Sequence, residues 1–362
     1  MTKIAISAAE TSGDLIGSSL VSALKAQDSE LHIEGLCGEK MQKAGCVKHW
    51  DMSLVNVMGF TEVLKKLPSL LKLRSAMVEF FSQQKPDVFI GVDAPDFNFV
   101  IEKKLKKQSV KTIHFVSPSV WAWRQSRVKK IKQSTDLILC LFPFEVDFYK
   151  RYNQRAVFVG HPLAEQLTPR KNYVSSKQIL LMPGSRSGEV KRLLPELLSA
   201  AKLMAEQDGA LSFHLALAND ELLDWAQALV GQQAVEISVD AAHQHMQTAD
   251  LVLVASGTAA LELALVGVPM VVVYKLSAMS YFIASRLVKS PYISLPNVIA
   301  DKSLVPELIQ DDANAHNIAT EAMKILANDQ VNLVAEFNQI HQTLNLNASD
   351  ESARLILEFI HE

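Results

Sequence analysis

Cysteine is scarce in this chain of 362 residues. Cys37, Cys46 and Cys140 show neither paired nor metal-type spacing, so a disulfide framework is excluded and a reducing, cytoplasmic setting is expected. The glycine fingerprint of dinucleotide binding is missing as well. The first strand–turn–helix carries only Gly13 and Gly17, which argues against a nicotinamide or flavin cofactor. No Walker A pattern occurs. No Asp-x-Asp pair occurs either, so a metal held in that way against a nucleotide diphosphate is not expected. Gly184 to Gly188 carries Arg186 at its centre rather than a nucleophilic serine, and the ten histidines form no His-Glu-x-x-His or Cys/His cluster. Neither a metal nor a cofactor is expected. Internal repeats and low-complexity tracts are absent, and Met1-Thr2-Lys3 leads straight into a strand pattern with no secretory leader.

What is present is an ordinary globular balance, 49% hydrophobic and 21% charged, in a length that suits two domains. The net charge of −3 is unevenly placed. Residues 1–160 hold 23 Lys and Arg against 16 Asp and Glu; residues 161–362 hold 13 against 23. The basic excess sits in Lys103–Lys107 and Arg124–Lys132. It reads either as solvated helix faces or as a surface turned to anionic lipid. No nucleic-acid motif accompanies it.

Short apolar runs alternate with helical patterns. Ile4–Ala8, Asp87–Val92, Lys111–Val116, Leu137–Leu141 and Val157–Val159 read as strands of a first domain. Ile179–Met182, Ser212–Leu217, Val235–Val239, Leu251–Val254 and Met270–Val273 read as strands of a second. The alternation predicts α/β architecture: two doubly wound, Rossmann-like domains whose parallel sheets face a cleft. Leu163–Lys177 reads as the linker, which gives domains 1–165 and 166–315, followed by C-terminal helices over 316–362. The apolar stretch Leu251–Tyr274 is long enough to span a bilayer. Ser256-Gly257-Thr258, Glu262, Gly267 and Pro269 break it into strand, turn, helix and strand instead.

Two turns stand out in the second domain. Pro183-Gly184-Ser185-Arg186 lies between a strand and a helix, and so does Ser256-Gly257-Thr258. Free N–H groups and the helix dipole make such a turn an anion site, and Arg186 adds a planar fork suited to phosphate. Two such sites suggest a diphosphate. Glu262 shares a helix face with Thr258, one turn along, where an acid can take two ribose hydroxyls; the alternative is a salt bridge to a partner from elsewhere. In the first domain, Glu10 sits in a turn with Ser12, Gly13 and Asp14, where Ser12 and Asp14 read equally as helix caps. Asp93 and Asp96 flank Pro95 just past a strand, so one can serve as general base and the other orient it, or Asp96 can cap the helix. Trp121 lies in the loop Ser117–Arg124, placed to stack on a sugar or to pack beneath the loop. His161 stands at the linker entrance as a cleft or structural residue. Phe60, Val63, Leu64, Leu67 and Leu71 form an apolar stripe with basic neighbours, kinked at Pro68. It reads as core or as a membrane-surface face.

Taken together, Glu10–Asp14, Gly91–Asn98, Ser117–Arg124, Gly160-His161-Pro162, Pro183–Val190, Ser256–Glu262 and Ser294–Asn297 resemble the lipid-A-disaccharide synthase family, in that family's order and from end to end. The usual Gly-Glu-Ala-Ser-Gly-Asp reads Ala9-Glu10-Thr11-Ser12-Gly13-Asp14 here. The resemblance implies a GT-B fold and a metal-independent, inverting transfer of 2,3-diacylglucosamine from its UDP carrier to the 6-hydroxyl of 2,3-diacylglucosamine 1-phosphate. The products would be the β-1,6 disaccharide and UDP, made at the inner face of the cytoplasmic membrane of a Gram-negative-type bacterium. It also implies a homodimer with exchanged C-terminal segments. It makes Asp93 the base, with Asp96 or Glu10 as alternatives. Arg186 and the Ser256-Gly257-Thr258 N–H groups stabilise the leaving charge, Glu262 holds ribose, and Asn297, Gln310, Ser12 and Gly13 line the donor site. Other sugar-nucleotide enzymes of this fold, an undecaprenyl-linked transferase or a 2-epimerase, stand as alternatives, as does a non-catalytic membrane scaffold that binds a nucleotide sugar.

Overall fold

The structure, a computed structural model, describes residues 1–55, 60–123, 125–171, 174–288 and 290–362; the side chains of 60–66 and of 283 lie outside that description. The chain divides into two compact units, Met1–Glu165 with Leu344–Glu362, and Gln166–Thr343.

The first unit is built on β1 (Lys3–Ala8), β2 (His32–Cys37), β3 (Val47–Asp51), β4 (Val88–Val92), β5 (Lys111–Phe115), β6 (Leu137–Cys140) and β7 (Ala156–Phe158). Their order in the sheet is β3-β2-β1-β4-β5-β6-β7, and every pairing is parallel. The second unit repeats the plan with β8 (Gln178–Met182), β9 (Ser212–Leu217), β10 (Val235–Val239), β11 (Leu251–Ala255), β12 (Met270–Tyr274) and β13 (Glu307–Ile309). Its order is β10-β9-β8-β11-β12-β13, again parallel throughout. Central strands such as β4 and β11 are buried at every position. Helices cover both faces of such sheets, so the strands read as unbroken apolar runs. That burial accounts for the membrane-like stretch 251–274, which forms β11, the helix Thr258–Val266 and β12. Among the described residues, no helix is long and apolar enough to cross a membrane.

Strand order fixes where ligands go. In each sheet the chain winds one way from its first strand and then returns to its other side. The two strands at that reversal are β1 and β4 in the first unit, β8 and β11 in the second. Beyond their carboxyl ends lies the crevice where doubly wound sheets bind ligands. Register sets the paired ends level, Ala8 beside Val92 and Met182 beside Val254. Glu10, Ser12 and Asp93 therefore emerge at one reversal, and Arg186 and Ser256 at the other.

Two expectations about organisation change. The strands β2, β3 and β13 go beyond the sequence reading: Gly35 interrupts the first, the second, Val-Lys-His-Trp-Asp, is a half-exposed edge strand, and the third is only three residues long. Residues 316–362 do not form a block of their own. Ile318, Ala319 and Ala322 complete the core of the second unit against the helix Ser187–Gln207. The helix Ala348–His361 returns to the first, where Ala353, Ile356 and Phe359 join the β1 core and Lys111 Nζ donates to the carbonyls of Phe359 and Ile360 at 2.8 and 2.9 Å.

Candidate active site

Asp93 occupies a strained turn. It and Ala94 have φ of +52° and +42°, a conformation that costs ordinary residues roughly 1–3 kcal/mol each. Asn98, fully buried one turn into the helix Pro95–Lys106, holds the turn in place. Its amide donates to the carbonyls of Asp93 (2.8 Å), Ser7 (3.2 Å) and Val92 (3.3 Å), and its oxygen accepts the Ser7 hydroxyl at 2.7 Å. The Asp93 side chain accepts one hydrogen bond, from Ser12 Oγ at 3.2 Å. Partial burial and the nearby Asp93 carboxylate both raise the Glu10 carboxyl above its usual range. Asp14 is otherwise engaged: it accepts the N–H groups of Gly38, Lys40 and Met41 and so anchors a neighbouring loop. Gly13 packs between Ala8 and Val92, where the two strands end.

Asp93 lines a cleft of about 400 Å³ within the first unit, together with Asp96, Ser117, Ser119, Trp123 and Arg127. The cleft floor at Val116 is strained too, with φ of +76°, which is rare for a β-branched residue. Asp96 does not cap its helix. Its exposed carboxylate pairs with Arg127. Of the two tryptophans in the loop Ser117–Arg124, Trp123 reaches the cleft, whereas Trp121 packs edge-on to Phe144, with ring centroids 4.8 Å apart. His161 accepts the Leu163 N–H at Nδ1 (3.2 Å), and burial pushes its pKa down to about 4. It is a neutral acceptor near β7 and is not among the residues lining the cleft.

Beneath the loop, Ser117 Oγ and the Tyr149 hydroxyl share a hydrogen bond of 3.1 Å, and the buried Glu145 accepts the Phe142 N–H at 3.2 Å. Burial pushes the Glu145 carboxyl up to about 8, against the pull of donors from Ser117, Phe142 and Leu141. The fold therefore favours the neutral acid. Relative to an unfolded carboxyl near 4.5, that contribution is complete below about pH 4.5 and is lost as pH rises through about 8. Glu145→Gln is expected to flatten the decline in stability between about pH 5 and 8, and to exceed the parent above about pH 8 by on the order of a few kcal/mol. Urea midpoints across pH test this, and parallel curves for the two proteins would refute it.

In the second unit, the two expected anion turns differ. The helix Ser187–Gln207 begins after Arg186, and its first turn contains Glu189. Gly184 has φ of +106°, and a Cβ there would stand 2.1 Å from Glu189 Oε2. The Glu189 carboxyl is thus folded beneath the loop. Burial raises it, while Arg186 and the Ser185 N–H draw it down. This helix end already has an acidic side chain folded against it. The helix Thr258–Val266 does not: its cap is Gly257, no side chain closes it, and its first turn has no acid. Gly257 and Thr258 are exposed, and open space surrounds the Gly257 Cα. Here the N–H groups are available to an anion, and the exposed Arg186 side chain belongs to the adjoining turn. Half-buried Glu262 lies one turn along, 3.7 Å from His243 Nε2; burial raises its carboxyl, and His243 opposes the shift.

The remaining donor-site candidates brace the backbone. Ser256 Oγ donates to the Ile293 carbonyl at 3.2 Å. Asn297 is buried, with its oxygen accepting the Leu304 and Val305 N–H groups and its nitrogen donating to Glu307 Oε1 and the Val305 carbonyl. Gln310, at φ of +56°, accepts the Leu276 N–H at 2.6 Å and donates to the Leu276 carbonyl at 3.3 Å. Among the described residues, no group of three or more His, Cys, Asp or Glu is disposed to hold a metal ion.

The amphipathic segment forms the helix Phe60–Gln84. Its core face is Leu70, Met77 and Phe81. Leu67 and Leu71 point away from that core and are 40% and 51% exposed; the side chains of Phe60, Val63 and Leu64 lie outside the described residues. A second cleft of about 400 Å³ opens on this helix, lined by Ser53, Leu54, Ser69, Lys72, Leu73 and Ala76.

Comparison with known proteins agrees with this architecture. The sequence profile of lipid-A-disaccharide synthetases matches residues 4–359. Lipid-A-disaccharide synthase from Actinobacillus pleuropneumoniae serotype 7 is 42% identical over 377 residues, covering 99% of this chain and 96% of that protein. The enzyme from Pseudomonas putida KT2440 is 42% identical over 370 residues, covering 99% and 98%. Solved structures share the fold at low identity. A transferase from Siraitia grosvenorii in complex with UDP has a TM-score of 0.67 at 10% identity, with full coverage of both chains. UDP-GlcNAc 2-epimerase from Neisseria meningitidis bound to UDP-GlcNAc has 0.65 at 11%, with 99% of each covered. The two-unit architecture is of the GT-B type.

Proposed function

This chain belongs to the lipid-A-disaccharide synthase family, and on that premise we propose how its two reversal points share the work of a lipid A hexosyltransferase. The first unit supplies the base and the second the seat of the donor diphosphate. The donor is UDP-2,3-diacylglucosamine and the acceptor 2,3-diacylglucosamine 1-phosphate. Asp93 takes the proton of the acceptor 6-hydroxyl as that oxygen attacks the anomeric carbon from the face opposite UDP. The bond from that carbon to the diphosphate breaks, and the electron pair leaves with UDP. The N–H groups of Gly257 and Thr258, their helix dipole and Arg186 stabilise the departing charge, and Glu262 accepts ribose hydroxyls.

The observation that carries this reading is the pair of level strand ends: a held carboxylate in a cleft at β1/β4, and an uncapped helix N-terminus at β8/β11. Among the three carboxylates, Asp96 is tied to Arg127 and Glu10 is not among the residues lining the cleft, which leaves Asp93. Leu54, Leu67, Leu71 and Leu73 offer apolar surface to acyl chains, and with the basic first half they support docking on the inner face of an anionic membrane. The helix Ala348–His361 is the segment that an exchanged homodimer would pass between copies.

Arg186 and backbone N–H groups take the place of a metal in this scheme. Release of UDP from the diacylated donor, in detergent with the 1-phosphate acceptor, is expected to continue undiminished in EDTA. Loss of turnover in EDTA and recovery with a divalent cation would overturn the metal-free assignment.

A further inference from the structure

The acceptor carries a phosphate at one end of its sugar ring and the attacked hydroxyl's oxygen at the other. Asp93 accounts for the hydroxyl. Arg127 is the one cation among the described residues lining the Asp93 cleft, and its fork has the geometry that phosphate accepts. It now pairs with the Asp96 carboxylate, which is 84% exposed. A second guanidinium stands behind: Arg74 lies over the Phe97 ring, 5.5 Å from its centre, with Nη1 3.4 Å from the Asp96 carbonyl oxygen. Two guanidinium groups therefore flank Asp96, Arg127 at its carboxylate and Arg74 at its backbone carbonyl. An exposed ion pair is worth little, so the carboxylate can turn into water when a dianion arrives. Ser119 and Trp123 also line the cleft.

We propose that Arg127 binds the 1-phosphate of the acceptor in exchange for Asp96, and so decides which end of the sugar reaches Asp93. The assignment rests on the transferase reading given above.

The test compares kcat/KM for the phosphorylated acceptor and for the same diacylglucosamine without phosphate. Wild type is expected to favour the phosphorylated form by on the order of tenfold to a hundredfold, the value of a charge-assisted contact. In Arg127→Ala that ratio falls towards one, through KM rather than kcat, and Arg127→Lys recovers part of it. Asp96→Asn, which removes the resident competitor, keeps or raises the preference. UDP binding by each variant reports its folding. A damaged fold lowers both rates and leaves the ratio intact. An intact ratio in Arg127→Ala overturns the assignment, as does a wild type indifferent to the phosphate. A wild type that binds UDP but transfers to neither acceptor removes the transferase reading, and this assignment with it.

Discussion

Asp93→Asn is expected to lower kcat by about 10²–10⁴-fold while UDP affinity and thermal stability stay close to the parent's. The substitution is chosen to remove one property only. Asn has the shape of Asp and can still accept the Ser12 hydroxyl, now 3.2 Å from Oδ2, but it cannot take a proton at neutral pH. The left-handed turn survives, because Asn tolerates that region at least as well as Asp and because the clamp is Asn98 acting on the Asp93 carbonyl, not on its side chain. Asp96→Asn and Glu10→Gln, measured beside it, are expected to cost far less, since the first carboxylate is paired with Arg127 and the second is not among the residues lining the cleft. Single-turnover UDP release with saturating donor separates the cases. Retained turnover in Asp93→Asn would move the base to whichever of the other two variants fails.

Much of this site was legible in the sequence because strand ends are. An apolar run that stops at Val92 or Ala255 announces where a loop reaches the carboxyl edge, and Asp93 and Ser256 are simply the next residues along, while Arg186 lies four residues past the run ending at Met182. The residues whose surroundings the sequence leaves open depend on information that spacing does not carry. Asn297 and Gln310 sit where donor-site residues were expected, yet their amides serve Val305, Glu307 and Leu276, partners set by tertiary packing. Trp121 and Trp123 are two residues apart, and only the fold decides which one packs against Phe144 and which one lines the cleft. Arg127 was hidden inside a basic run that reads as a solvated face. Glu145, in Pro-Phe-Glu-Val-Asp, looks like an ordinary first-turn acid until the loop above buries it. The stripe through Leu67 and Leu71 has helical periodicity whether it faces core or water. Its exposure became visible only when Leu70, Met77 and Phe81 were seen to fill the core instead.

Gly257→Asp is expected to weaken donor binding severely without harming the fold. Glycine is not required there by its backbone: φ of 168° and ψ of −159° are extended, and a Cβ would meet nothing within 4 Å. Aspartate at that position becomes an N-cap. It accepts the free N–H groups of the first turn and places negative charge at the positive end of the helix Thr258–Val266. Relative to glycine this contributes a few tenths of a kcal/mol from the cap and about 0.3–1 kcal/mol from the dipole, so the melting temperature holds or rises. The same carboxylate occupies the seat proposed for the diphosphate and repels it. Losing two hydrogen bonds to a charged group, each worth about 1.5–3 kcal/mol, predicts UDP binding weaker by on the order of a hundredfold or more. Gly257→Ser caps the helix without charge and is expected to fall between the two. Opposite movements of stability and affinity in one variant distinguish an occupied anion site from a damaged one. If calorimetry shows Gly257→Asp binding UDP as the parent does, the diphosphate lies elsewhere, and the Arg186 turn, with Glu189 already folded beneath it, becomes the place to look.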